Sequence, residues 1–215
     1  MIRARNQKDI EYRRSSIMEA AEQLFNEHFY DSITLDMIAS VVQLSKRTLY
    51  LYYSNKNAIY HELFLRQSQE RLNYYKQELE KCSGGFNAVR TFGVANYEYF
   101  ARYTDRHRLV LHFDILPIWQ APAPDNEHLQ KLIAEFHGAT KVNRDFIFNE
   151  LKKDFENGLT NFTHEDQICA SVDQLFVTIR TIYNRSRLMG EEPCCRDYYY
   201  WFLELFINGI RMHKN

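Results

Sequence analysis

Apolar residues along this chain recur at the spacing of a helix and nowhere sustain the alternation of a strand. Near the C-terminus Ile168, Val172, Leu175, Phe176, Ile179, Ile182 and Tyr183 fall on one stripe, and Tyr199, Phe202, Leu203, Phe206, Ile207 and Ile210 fall on another. Segments with this period bury one face against other helices, so the expected fold is all-α. The scarcity of breakers agrees, since 215 residues hold only seven glycines and four prolines. Where breakers do occur they mark helix ends. Ser83-Gly84-Gly85, Asn157-Gly158 and 190–193 separate long periodic segments, and three of the four prolines fall in an irregular stretch at 117–126. The spacing predicts helices over about 9–28, 55–81, 86–103, 105–116, 127–156, 164–189 and 196–213.

Between the first two of these, residues 34–56 divide into two shorter helices joined by a tight turn. Ile38 and Val42 share a face with Leu35 and Val41 beside it, and Thr34 can cap the start with Asp36 in the first turn. Gln43-Leu44 makes the turn. Ser45 can cap a second helix whose inner face carries Leu49 and Tyr53. Lys46, Arg47, Thr48, Tyr50 and Tyr52 are left for the outer face. Two cations, a hydroxyl and two phenols just past a helix start suit phosphates and base edges, as in the second half of a helix-turn-helix. Ser54 and Asn55 then offer caps for the long helix that follows.

The run from Ser16 to Ile59 resembles the N-terminal domain of the tetracycline-repressor (TetR) family of bacterial regulators. The resemblance rests on Ile17, Ala20, Ala21, Leu24 and Phe25, on Thr34, Ile38 and Ala39, and on SKRTLYLYY with Lys56 three residues later. The chain departs from the pattern at Phe29 and Gln43, where the family usually has glycine, and at Arg47, where a small residue is common. A non-glycine residue at positive φ in the turn would be strained. The resemblance implies a helix-turn-helix domain over 1–55 and a helical ligand-binding and dimerisation domain over 56–215. It implies DNA contacts from Thr34, Ser45, Lys46, Arg47, Thr48, Tyr50, Tyr52 and Lys56, with Tyr50 and Lys56 on phosphates. It also implies a homodimer built on the last two helices, through Ile179, Tyr183, Phe202, Phe206 and Ile210, and a palindromic double-stranded operator. A small effector, apolar or aromatic, would then be lined by Tyr97, Phe100, Phe113, Trp119, Phe136 and Phe146.

Charge adds little, because the net is −1. Residues 1–56 carry eight Lys or Arg against seven Asp or Glu, but Arg3, Arg5, Lys8, Arg13 and Arg14 cluster ahead of the first core residues. No apolar run is long enough for a membrane span, and the polar start is unlike a signal peptide, so a cytoplasmic protein with no membrane partner is expected. The four cysteines form no CxxC pair, and the eight histidines form no HExxH motif, so no metal or other cofactor is expected. A Gly-rich phosphate loop, a GxSxG nucleophile turn and an evident acid–base pair are all missing from the sequence, which argues against an enzyme and leaves a helical enzyme as the remote alternative. The nearer alternative is a regulator governed by a partner protein or by thiols such as Cys194 and Cys195.

Overall fold

The computed structural model describes residues 7–103, 127–188 and 195–212. Arg3, Arg5, Phe113, Trp119, Cys194, the helix expected at 105–116 and the side chain of Tyr183 lie outside the described residues. The elements are α1 (Gln7–Glu27), a 3-10 turn (Tyr30–Ser32), α2 (Leu35–Val41), α3 (Lys46–Leu49), α4 (Lys56–Leu79), α5 (Gly85–Arg102), α6 (Glu127–Glu156), α7 (Asp166–Leu188) and α8 (Arg196–Ile210). Among the described residues the one β pairing is an isolated bridge between Thr160 and Arg211. The fold is all-α, as the periodicity predicts. Two compact units are formed. The first holds the described residues up to Ser68 together with Glu127–Ala134, and the second holds those from Gln69 to Tyr103 and from Glu135 onward.

In the first unit α1 buries Ile17, Ala21, Leu24 and Phe25, which recur at helical spacing, while Ile10, expected on the same side, is half-buried. Ile38 and Ala39 of α2, Leu49 of α3, and Ile59, Tyr60 and Leu63 of α4 complete the core. Each of the Ile, Leu and Phe side chains stabilises the fold by about 1.5–3 kcal/mol when removed from water. Tyr60 meets the rings of Phe25 and Tyr30 edge-on, at 5.0 and 4.9 Å. Asn55 begins α4, its Oδ1 accepting from the Ala58 amide at 2.9 Å. The turn after α2 is a Schellman closure, with Gln43 N–H donating to Ser40 O and Leu44 N–H to Ala39 O. It requires a left-handed residue at position 43, and Gln43 adopts φ 54°. Val41, expected beside the buried face of α2, is exposed: about 100° per residue turns this last position of the helix away from the face shared by Ile38 and Ala39.

In the second unit α5 is gripped from two sides. Gly85 lies so close to α6 that a Cβ there would stand 2.5 Å from Leu151 Cα. This approach lets two α6 carboxylates serve the start of α5. Glu150 accepts from the Gly84 amide at 2.7 Å and Asp154 from the Phe86 amide at 3.2 Å. A bond from Lys153, and then the Gly84 amide, hold the Glu150 carboxyl below its ordinary range despite partial burial. On the other side Gly93 admits the Leu203 side chain of α8, and Tyr199 donates to Gly93 O at 2.8 Å. Arg90 grips Glu204 with two bonds, of 2.7 and 2.9 Å.

Two expectations change here. Ile179 and Ile210, assigned to a surface between protomers, are buried within their own chain. Their stripes face the unit's interior, while the outward face of α8 carries Tyr198, Trp201 and Leu205. Tyr97, expected in a ligand cavity, packs instead between Tyr199 and Tyr200 of α8, at 5.2 and 5.5 Å between ring centroids.

Gly85→Ala is expected to destabilise the fold by about 1–3 kcal/mol, because the opposing atom is backbone and cannot swing aside. An unchanged urea midpoint would show that α5 and α6 separate without loss. Gln43→Gly is expected to leave stability unchanged or to raise it by up to about 1 kcal/mol, relief of the left-handed strain outweighing the added freedom of the unfolded chain. A lowered midpoint would contradict strain at that turn.

Candidate nucleic-acid interface

The interface is assembled from one short helix held by its neighbours. Thr34 caps α2, its hydroxyl accepting from the Met37 amide at 3.2 Å. Ser45 caps α3 in the same way, accepting from the Thr48 amide at 3.0 Å, and its Oγ lies 2.8 Å from Thr48 Oγ1. Beyond Leu49 the chain continues in tight turns, the amides of Leu51 and Tyr52 donating to the carbonyls of Thr48 and Leu49. Leu49 and Tyr53 face the core, so Lys46, Arg47 and Tyr50 project outward and Thr48 is half-buried.

Tyr52 does not belong to this outer face. It is only 7% exposed. The tightening after Leu49 rotates it inward relative to a continued α-helix, which is why helical spacing misplaced it. Lys46 donates to Asp36 Oδ2 at 2.7 Å, an exposed bond that braces α3 against α2 and holds the ammonium above its ordinary range. No helical period links this pair, which lies ten residues apart. Arg47 is exposed and, among the described residues, forms no ion pair.

Lys56 is oriented inward as much as outward. Its Nζ donates to Tyr30 O at 2.7 Å and Ile33 O at 2.9 Å, and sits 4.1 Å from the Tyr30 ring centroid. Burial lowers its pKa, with Asp31 opposing. Tyr30 in turn donates to Asn57 Oδ1, and burial followed by the Asp31 charge pushes its hydroxyl up to about 12, so it remains a donor. Lys56 thus closes the carbonyl-rich link between α1 and α2. Of the expected cavity residues, Phe100 is buried beside the Arg71 guanidinium, whose centre lies 5.4 Å from the ring centroid, while Phe136 and Phe146 are half-buried on α6. Among the described residues no group of His, Cys, Asp or Glu side chains has the geometry to hold a metal ion.

Residues 17–63 match the family model described as bacterial regulatory proteins, tetR family. The chain is 26% identical over 170 residues to the biofilm operon icaADBC HTH-type negative transcriptional regulator IcaR of Staphylococcus aureus, the match covering 76% of this chain and 87% of that protein. The transcriptional regulator FadR of Bacillus subtilis, solved in complex with stearoyl-CoA, has a similar fold, with a TM-score of 0.61 at 18% identity over 93% of this chain and 99% of that one. A tetR-family regulatory protein from Rhodococcus RHA1 gives a TM-score of 0.65 at 15% identity over 94% and 98% of the two chains. With a capped helix-turn-helix inside the matched segment, residues 17–63 of this chain form a helix-turn-helix domain of the tetR family of bacterial regulatory proteins.

Proposed function

We propose that the protein is a sequence-specific repressor that binds a palindromic operator as a homodimer and is released by a small ligand. The single observation that carries the DNA reading is the outer face of α3, where Arg47 and Tyr50 stand in the open beside a Lys46 held by Asp36. Arg47 is the principal base reader and Tyr50 a phosphate contact; Thr48, Ser45 and Thr34 approach the backbone with hydroxyls already oriented as caps. Lys46 exchanges Asp36 for a phosphate on binding. Lys56 acts on affinity mainly by holding the α1–α2 link, and any phosphate contact uses its remaining donor. Repression follows the negative regulator IcaR, to which this chain is similar over most of its length.

The dimer surface is the outward side of α7 and α8. Trp201 and Leu205 are 60% and 53% exposed and share a face with Tyr198, and Val177 is exposed on α7. Phe202 and Phe206, both half-buried, flank that face. A two-fold copy of the chain covers this apolar stripe and sets the separation of the two reading helices, which a palindrome matches.

The ligand reading is supported by the stearoyl-CoA complex of the similarly folded FadR and by buried polarity in the second unit. Asn143 donates both amide hydrogens to backbone, at 3.0 Å to Leu72 O and 3.2 Å to Ala139 O. Its buried Oδ1 stays an acceptor without a protein partner, as does Asn96 Oδ1 beside Tyr75. Such atoms favour an effector that carries a hydrogen-bond donor on an otherwise apolar frame, within reach of the aromatic cluster of Tyr75, Tyr99 and Phe100.

Arg47→Ala is expected to weaken binding to a site selected from genomic DNA by about 1–3 kcal/mol and to relax one base position. Fluorescence anisotropy on the selected site and on single-base variants reads both effects, and an unchanged preference would remove α3 from base reading. Leu205→Glu is expected to convert the dimer to a folded monomer in light scattering and to abolish operator binding. Ile210→Glu, which places its charge inside the chain's own core, is expected to unfold the protein instead. A wild-type monomer at micromolar concentration would refute the assembly.

A further inference from the structure

Among the described residues of the first unit the most deeply buried charge is Glu62, whose side chain is 2% exposed. Its two oxygens are shared among three other parts of the chain. Oε2 accepts from Arg14 of α1 at 3.0 Å and from the Tyr53 hydroxyl at 2.9 Å. Oε1 accepts from Arg66 at 2.6 Å, one turn along α4, and lies 3.2 Å from Nε2 of His128, in the first turn of α6. A carboxylate at this depth is a poor source of stability, because its desolvation offsets much of the attraction and an apolar side chain of the same size would serve as well. Its effect lies in geometry.

That geometry bears on the reading helix. Tyr53 is the residue on which the turns after α3 close, its amide donating to Leu49 O at 3.1 Å. Arg14 stacks over the Tyr53 ring at 5.2 Å while donating to the same carboxylate oxygen. Burial, and then the Glu62 charge, push the Tyr53 hydroxyl far above its ordinary range, so it stays a donor. The two oxygens belong to one planar group, so a donor moving at Oε1 is felt at Oε2. His128 stands at the head of α6, which runs without a break to Glu156.

We propose that Glu62 and His128 are positioning residues for DNA reading: through the shared carboxylate, the place of the first turn of α6 sets the place of Tyr53 and so of α3. This rests on the DNA-binding reading above. It assigns a route by which a displacement of α6 alters the reading head without any contact between the displaced helix and DNA.

The test is amide hydrogen exchange on the full-length protein without DNA. The amides of Leu49–Tyr53 are all hydrogen-bonded, so their exchange reports local opening at the reading helix. His128→Phe keeps a ring and removes the donor, and is expected to speed exchange at Leu49–Tyr53 by about fivefold or more while leaving the amides of α5 unchanged. His128→Gln restores an N–H donor and should return exchange toward wild type. In a Glu62→Gln background, His128→Phe should add little. Equal acceleration in α3 and α5 would reduce His128 to a general stabiliser and overturn the proposal, as would no acceleration at all. The expected companion result is a similar fold-loss of affinity for the selected DNA site in His128→Phe. If the wild-type protein selected no DNA sequence, the proposed function would fail on that result alone, while the exchange experiment would still decide the coupling.

Discussion

A helix of one turn has no stability of its own, because the ordering of its residues is matched by almost no internal hydrogen bonding. The element with the outward cations, α3, is such a helix, spanning Lys46–Leu49. Everything that keeps it in place comes from outside it. Ser45 supplies its cap, Leu49 and Tyr53 anchor it in the core, and Lys46 ties it to Asp36 of α2. Tyr53 in turn reaches the buried carboxylate of Glu62. The first unit is therefore organised as a mount for one turn of helix.

The same logic explains why polar groups in that unit sit where apolar ones would pack as well. Lys56 donates to two carbonyls of the link between α1 and α2, those of Tyr30 and Ile33, and its ammonium rests on the Tyr30 ring that packs against Tyr60. Removing such a cation would take a donor away from part-buried acceptors, which is more damaging than never having had it. Specific polar ties of this kind add little net stability but allow only one arrangement of α1, α2 and α4 around α3.

The second unit reaches a fixed arrangement by close approach rather than by buried charge. Gly85 and Gly93 let α6 and α8 come near enough to α5 for side chains to bond its backbone, at the amides of Gly84 and Phe86 and at the carbonyl of Gly93. The stack of Phe92 on Phe176, 4.4 Å between centroids, fills the space between α5 and α7. Once α8 is committed inward through Tyr199, Leu203, Ile207 and Ile210, its remaining aromatic and aliphatic residues are left outside.

Local and periodic features were legible in the sequence. The long helices, their glycine-marked ends, the caps at Thr34, Ser45 and Asn55, and the buried stripe of α1 all follow from residues within a turn or two of each other, where chain geometry fixes who meets whom. The outward placement of Lys46, Arg47 and Tyr50 was legible for the same reason. Tertiary structure alone decided the rest. Tyr52 turned inward because the chain tightens after Leu49, a backbone change that helical period does not register. On α8 apolar residues occupy nearly the whole circumference, so spacing could not say whether Ile210 or Leu205 faces out; the seat of Leu203 against Gly93 decided it. The ties of Glu62 to Arg14 and His128 join residues 48 and 66 positions away, and no local pattern carries a contact across such a distance.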